Sequence, residues 1–468
     1  MITRSPDYMI GDMPSEELIQ SVLAEHALSL PRLDKLDRYY RGDGDIIRRT
    51  RADGLPNNRV SHPFCRYIAS VTTGYLIGNP AAYSSDSQPD ALQLITDAYD
   101  RCAAPSVDLE NARHAAIYGR GVEYVHVDDN AVPHVTSLDP RQAFVVYDDS
   151  YDMRPLFGVY YSRRKALNGQ DNGVRVWIMG PGRIAQYDMP SLTGRTMEPV
   201  SVLPHYFGGV PLVEYWNDEG ERGDFEWVIP LVDAYDKLES DRVNDKEQFV
   251  DKLLILTGCT MDVDDRGRPP WRQLREDKAL SLPDSDASAE YLSGALTESD
   301  VEILRAALET DIHKLSMVPN LADREFASNA SGVAMRYKLW GLEQLINIKQ
   351  QWFIEGLRAR LKLFAHFMAV KGHPALDTDG VKITLSRSLP ANTLEIAQTV
   401  QTADAANAAS LETRVRMLHR EDGWTDDMIQ SEVDRIAVER GIIVDDPTQM
   451  PGDAALGDFE RMGAVDQA

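Results

Sequence analysis

The sequence predicts an α+β fold with helical segments on both sides of a mostly antiparallel β region. Three patterns predict it. Apolar residues recur at helical spacing over much of residues 15–118. For about a hundred residues after Gly119, apolar and polar residues alternate with the period of two that is typical of strands. A nearly continuous apolar stripe then covers residues 332–371, as expected of one long buried helix.

The N-terminal part predicts four helices. Residues 15–40 have helical spacing, and we expect Pro31 to divide them into two helices. A further helix begins near Phe64 and stops at Gly78-Asn-Pro80, and residues 108–118 predict another. Residues 41–58 between them are expected to form an exposed loop.

One turn of the β region could be either a dinucleotide-binding loop or a β-hairpin. Gly180-Pro-Gly182 and the residues after it loosely match a dinucleotide-binding fingerprint, which needs a strand before the turn and a helix after it. Residues with strand propensity flank this turn on both sides, and Pro181 occupies the second position. We therefore expect a β-hairpin there.

Residues 227–255 predict a long helix whose middle, residues 239–248, is polar on nearly every face. Such a helix either projects into solvent or packs against copies of itself. The following segment, residues 256–296, is rich in loop residues and predicts a small protrusion. Its acidic stretch after Asp262 lacks the oxygen ligands of a calcium loop, because Arg266 and Gln273 occupy those positions. We expect no metal or cofactor.

The last third of the chain is predicted to be mainly helical. One helix covers residues 301–315 and ends before Pro319, and the long helix of residues 332–371 follows. A strand at residues 381–388 precedes three shorter helices. These cover residues 393–409, 411–418 and 426–440, and the residues from 445 onward predict a disordered tail.

Composition narrows the function. The chain carries 74 acidic and 49 basic residues, a formal charge of −25, which argues against a protein that grips nucleic acid through many phosphate contacts. Cys65, Cys102 and Cys259 show no zinc-ligand spacing, and no signal peptide or membrane span is expected. Nucleophile-elbow, zinc-helix and phosphate-loop motifs are absent from the sequence. Two classes of function remain open on composition and motifs. One is a hydrolase that uses carboxylates of the β region, and the other is a cytoplasmic scaffold unrelated to DNA.

Four blocks of sequence resemble the portal protein family of long-tailed double-stranded DNA bacteriophages. The first comprises residues 55–60 (Leu-Pro-Asn-Asn-Arg-Val), 66–68 and 74–80. The second comprises residues 116–121, 138–141 and 144–149. The third, residues 229–236, resembles the start of the family's stem helix, and the fourth, residues 330–338, the start of its spine helix. The four occur in the family's order with compatible gaps.

The resemblance implies the domain order of a portal subunit. A wing would comprise residues 1–226, with a return at 372–410, and two stem helices would comprise residues 227–255 and 297–318. The clip, tunnel loop, spine helix, crown and tail would then be residues 256–296, 319–331, 332–371, 411–444 and 445–468, respectively.

The resemblance also implies a non-enzymatic virion protein, made in the host cytoplasm. It would form a homo-oligomeric ring, a dodecamer, at one capsid vertex, through which double-stranded DNA passes without tight binding. The implied partners are the terminase large subunit, a head-tail adaptor, and the major capsid and scaffolding proteins. No membrane partner is implied.

Candidate site residues follow from that assignment. The tunnel loop would place Asn320, Asp323, Arg324, Glu325, Phe326, Ser328 and Asn329 near DNA. The clip would present Asp264, Arg268 and Trp271 to a partner or a neighbouring clip. Stem packing or the channel lining would use Glu239, Asp241, Arg242, Asp245 and Lys246.

Overall fold

The computed structural model describes residues 1–52, 56–194, 196–250, 253–257, 288–292, 298–321, 337–387, 393–406, 408–419 and 426–439. The chain divides into two compact units, Met1–Ser388 and Leu389–Ala468. The described residues combine helices with mainly antiparallel sheets, which confirms the predicted α+β class.

The first unit contains seven labelled helices and the second contains three. They are α1 (Glu16–Tyr40), α2 (Phe64–Ile77), α3 (Pro89–Arg101), α4 (Ala104–Tyr118), α5 (Ile229–Val250), α6 (Glu298–Ser316), α7 (Trp340–Val370), α8 (Thr393–Ala405), α9 (Leu411–Leu418) and α10 (Asp426–Glu439).

All described strands belong to the first unit. They are β1 (Ile2–Arg4), β2 (Met9–Ile10), β3 (Met13–Pro14), β4 (Ala82–Ser84), β5 (Arg120–Val127), β6 (Pro133–Leu138), β7 (Ala143–Asp148), β8 (Pro155–Lys165), β9 (Asp171–Met179), β10 (Arg183–Met189), β11 (Glu198–Pro204), β12 (Leu212–Trp216), β13 (Leu253–Thr257), β14 (Ser288–Leu292) and β15 (Lys382–Thr384).

The larger sheet has six strands in the order β1-β7-β8-β9-β10-β11, and only its β1–β7 pair is parallel. Its inner face packs against α1, where Ile19 and Val22 meet Phe144, Phe157 and other fully buried strand residues. Alternate strand residues supply this core, as the period of two predicted. The Gly180-Pro-Gly182 turn joins β9 to β10 as a hairpin, which confirms the expected turn and contradicts a nucleotide-binding loop.

A smaller sheet, β12-β5-β6, lies between the larger sheet and the long helix α7. Helix α7 packs directly on β12, where Gly356 faces the ring of the fully buried Tyr215. A Cβ atom at position 356 would lie 2.5 Å from that ring, so only glycine allows this close approach.

Three sequence predictions need correction. Helix α1 is continuous through Pro31, because buried residues on both sides of the proline hold one face of the helix to the core and offset the cost of about 3 kcal/mol. Helix α3 was not predicted. Helix α5 ends at Val250 rather than 255, because Leu253–Thr257 form a strand paired with Ser288–Leu292.

The apolar stripe of α7 is confirmed in most positions and wrong in two. Leu342, Ile346, Phe353, Leu357, Leu361 and Phe364 are buried. Ile348 is instead 55% exposed, and Trp352, whose ring lies 6.5 Å from that of Trp216 on β12, is 36% exposed. In the second unit, α9 and α10 begin where the sequence predicts, and contacts link α8 with α9 and α9 with α10. The predicted tail lies outside the described residues.

Candidate functional site

The polar middle of α5 is covered by a segment of the same chain. Asp236, Ser240 and Asn244 are buried, although the sequence predicts a helix exposed on all sides or packed on its copies. Their side-chain oxygens accept the backbone N–H groups of the segment before α2. His62 donates to Asp236 at 2.9 Å, Val60 to Ser240 at 3.0 Å and Asn58 to Asn244 at 2.7 Å.

The regularity of these bonds follows from backbone dimensions. Four residues of an α-helix rise about 6 Å. Two residues of extended chain span about 6.6 Å. Every second amide of residues 58–62 therefore meets every fourth side chain of α5, in the opposite chain direction. We call these three bonds the amide ladder. It shows that part of the polar character of α5 satisfies buried backbone groups.

The predicted stem residues lie around this ladder. Asp241 pairs with Arg49, at 2.7 Å, and with Arg51. Arg242 pairs with Glu239 at 3.5 Å and with Glu302 of α6 at 3.2 Å. Asp245 is half-buried and Lys246 is exposed. Asp241 therefore holds the segment that contains Arg49 and Arg51, and Arg242 links α5 with α6.

Helices α5 and α6 pack against each other in opposite directions. Arg305 of α6 donates to the Tyr235 hydroxyl at 3.2 Å, whereas Arg242, further along α5, reaches back to Glu302. On α6, Ile303 and Leu304 remain 69% and 50% exposed. This antiparallel helix pair therefore presents aliphatic side chains that its own subunit does not cover.

The end of α6 has a defined geometry. Met317, with φ of 57°, adopts the left-handed conformation that ends a helix, and His313 Nδ1 donates to the Val318 carbonyl at 2.9 Å. Asn320 donates to Glu309 of α6 at 3.1 Å. The other tunnel-loop candidates, Asp323, Arg324, Glu325, Phe326, Ser328 and Asn329, lie outside the described residues, as do the clip candidates Asp264, Arg268 and Trp271.

Two buried cations hold α7 in place, and the sequence analysis missed both. Lys349 donates to Asp224 at 2.6 Å, and the same carboxylate accepts a hydrogen bond from Thr72 of α2 at 2.5 Å. Arg360 is fully buried and contacts Asp108 at 2.5 Å and Glu123 at 3.3 Å. The sequence signal that could have revealed them is the presence of Lys349 and Arg360 within the apolar stripe of a helix.

The buried carboxylates of the β region are structural. Glu123 also accepts hydrogen bonds from Asn111 at 2.9 Å and Tyr215 at 3.2 Å, and burial raises its pKa to about 7. Glu214 accepts the amide of Val145 and the hydroxyl of Tyr147, both at 3.0 Å. Both carboxylates are buried and accept hydrogen bonds from neighbouring groups of the same chain.

Two histidines lie next to each other on the paired strands β5 and β6. His126 and His134 stack at a ring-centroid distance of 5.8 Å, but no group of three or more potential metal ligands occurs among the described residues. No described helix combines the length and apolar character needed to cross a bilayer. The acidic stretch of residues 262–273 lies outside the described residues.

The described fold thus combines mixed sheets and helices with the antiparallel pair α5–α6 and the long helix α7 seated on β12. The family model described as "Phage portal protein, SPP1 Gp6-like" matches residues 19–442. The chain therefore belongs to the phage portal protein family, which confirms the resemblance seen in the sequence.

Individual relatives are distant in sequence but match over most of their length. The portal protein of Bacillus phage SPP1 is 21% identical over 435 residues, which cover 86% of this chain and 83% of the relative. The portal protein of Clostridium phage phiCD119 is 22% identical over 449 residues, covering 89% and 94%.

Solved structures give a similar picture of distant likeness. The virion of the native gene transfer agent particle contains a chain with a TM-score of 0.45 and 12% identity, covering 82% of this chain and 92% of that one. The neck of the same particle, computed with C12 symmetry, contains a chain with a TM-score of 0.45 and 12% identity, covering 76% and 89%.

Proposed function

We propose that this protein forms a closed dodecameric ring at one capsid vertex, through which double-stranded DNA enters during packaging and leaves during ejection. Family membership across residues 19–442 carries this proposal. The protein would be a structural, non-catalytic part of the virion. The terminase large subunit and a head-tail adaptor would bind it in turn, and major capsid and scaffolding proteins would surround it.

The exposed face of α6 supports the ring. Ile303 and Leu304 are aliphatic side chains that a single subunit leaves in contact with water. In a ring, the stem of each subunit would cover this face of its neighbour, which removes apolar surface from solvent. Replacement of Ile303 and Leu304 by Asp should therefore dissociate rings, whereas the same change at the exposed loop residue Leu167 should leave them assembled.

The charge of the stem and clip fits a channel that does not grip DNA. Residues 214–316 contain 26 acidic and 12 basic residues. Each Lys or Arg contact with a phosphate adds salt-dependent affinity, so an acidic lining would keep the polyanion mobile. Acidic residues also favour solubility. Replacing acidic stem residues by lysine would distinguish the two roles, because DNA packaging should fall only if the acidic lining keeps DNA mobile.

Residues 319–331 would form the loop that touches DNA within the channel. Asp323, Arg324 and Glu325 nearly cancel in charge, so Arg324 would contact phosphate briefly without lasting attachment. Deletion of residues 323–326, or Arg324→Ala, should leave rings intact and impair DNA packaging or retention. Normal packaging and retention in the deletion variant would contradict this role.

The clip, residues 256–296, would meet the terminase and later the adaptor. Trp271, between Pro270 and Arg272, would act as an interface anchor, with Asp264 and Arg268 nearby in sequence. Trp271→Ala should weaken adaptor binding, packaging or ring assembly. If all three are unchanged, the tryptophan serves only the clip's own fold.

A further inference from the structure

One helix, α2, binds both the residues just before position 322 and the first turn of α7. The hydroxyl of Tyr67 on α2 donates to the Pro319 carbonyl at 2.8 Å and accepts the Leu321 amide at 3.0 Å. The rings of Phe64 and Tyr67 pack edge-on against His313, in the last turn of α6. One tyrosine thus binds two backbone groups at the point where the chain leaves α6.

Tyr75 of the same helix holds the first turn of α7. Its hydroxyl donates to Glu343 at 2.7 Å, and Arg387 donates to the other oxygen of that carboxylate at 3.3 Å. Arg387 also donates to Asn347 at 2.6 Å. The Glu343 carboxylate is therefore bound by Tyr75 on one side and Arg387 on the other. Because Tyr75 is buried, these hydrogen bonds are partly shielded from water.

Tyr67 and Tyr75 are eight residues apart, which is about 12 Å along the axis of α2. The pairing of Thr72 and Lys349 through Asp224 ties the same helix to α7 a second time. A rigid helix therefore bridges two anchor points that are separated by residues 322–336 in sequence.

We propose that α2 is a common mount for the DNA-contacting loop, with Tyr67 and Tyr75 as positioning residues that fix where the chain leaves α6 and enters α7. This inference rests on the proposed role of residues 319–331. Force that moving DNA exerts on the loop would pass through both tyrosines into the wing, because the two anchor points cannot separate without breaking their bonds to α2.

The test compares Tyr67→Phe and Tyr75→Phe with the matched control Tyr151→Phe, whose side chain is 94% exposed. Phenylalanine keeps the ring packing and removes only the hydroxyl. Hydrogen exchange measured by mass spectrometry on assembled rings should become at least about fivefold faster at residues 318–321 in the first variant, the factor for one lost hydrogen bond. Tyr75→Phe should show the same acceleration of exchange at residues 340–347. Tyr151→Phe should change the exchange rate in neither segment. DNA packaging should fall in both tyrosine variants.

The possible outcomes distinguish the anchoring role of α2 from the proposed role of residues 319–331 in contacting DNA. Exchange at wild-type rates in both variants would overturn the mount. Faster exchange with normal packaging would overturn the positioning role if deletion of residues 323–326 impairs packaging. If that deletion also has no effect, the proposed role of the loop fails, and the positioning role falls with it.

Discussion

Arg360 is a fully buried charge, and at the scale of single residues it controls the seating of α7. It binds Asp108 and Glu123, and it donates to the Tyr83 hydroxyl at 2.9 Å. Its removal would leave two carboxylates buried without their cation, which is far more costly than losing a surface pair.

We expect Arg360→Ala to lower the free energy of unfolding of the wing by about 3–5 kcal/mol. Urea unfolding at a fixed protein concentration measures this change in the free energy of unfolding. The control is Lys362→Ala on the exposed face of the same helix, whose pair with Asp379 at 3.6 Å should contribute less than about 1 kcal/mol. Equal effects of the two substitutions would refute the structural role of Arg360.

Glu123 gives a prediction for pH. Burial raises its pKa in the folded state to about 7 from the usual 4.5, so the folded protein holds a proton that the unfolded chain releases. This contribution to stability is complete below pH 4.5 and is lost as the pH rises to about 7. His26, whose pKa burial lowers to about 4, acts in the opposite direction over an overlapping range.

The difference between wild type and Glu123→Gln isolates the carboxyl, because His26 is common to both proteins. The glutamine variant should gain stability relative to wild type as the pH rises from 4.5 to 7. Unfolding in urea at several pH values checks this. A difference that does not change with pH would mean that Glu123 titrates as an ordinary carboxyl.

At the scale of elements, the amide ladder attaches α5 to the segment that precedes α2. Ser240→Ala leaves the Val60 N–H without its partner, and we expect it to lower the free energy of unfolding by about 1–3 kcal/mol. Lys237→Ala, on an exposed turn of the same helix, should change it by less than about 0.5 kcal/mol. If Ser240→Ala costs no more than this control, the ladder does not stabilise the helix.

The ladder also explains what sequence could not predict. The period of two in the β region and the helical spacing around Ile68 depend on nearby residues, so those elements were found. Burial of Ser240 depends on Val60, which is 180 positions away in sequence. No local pattern distinguishes a polar side chain that faces water from one that satisfies a distant backbone amide.

The same limit applies to helix boundaries and to the site. Pro31 looks like a break because the local cost of proline is visible in sequence, while the packing on both sides that offsets it is not. The family could be recognised from four sequence blocks, and the family model over residues 19–442 confirms it. Tyr67 and Tyr75, which bind residues 319–321 and Glu343, were missed because each acts through a partner more than 200 positions away.

At the scale of the whole molecule, a ring-forming subunit is incomplete alone and must bind its copies. A chain of 52.4 kDa with a formal charge of −25 repels its copies at long range, so the stem contacts must overcome that repulsion at short range. We expect added salt to favour assembly by screening the repulsion, because the proposed contacts through Ile303 and Leu304 are apolar. Dissociation by salt would point to an interface dominated by ion pairs.

The ring itself is the most direct test of the account. Negative-stain electron microscopy of the purified protein, with light scattering across a range of salt concentrations, should show closed rings with a central hole and a mass many times that of one chain. A stable monomer of 52.4 kDa under all these conditions would contradict the proposed ring.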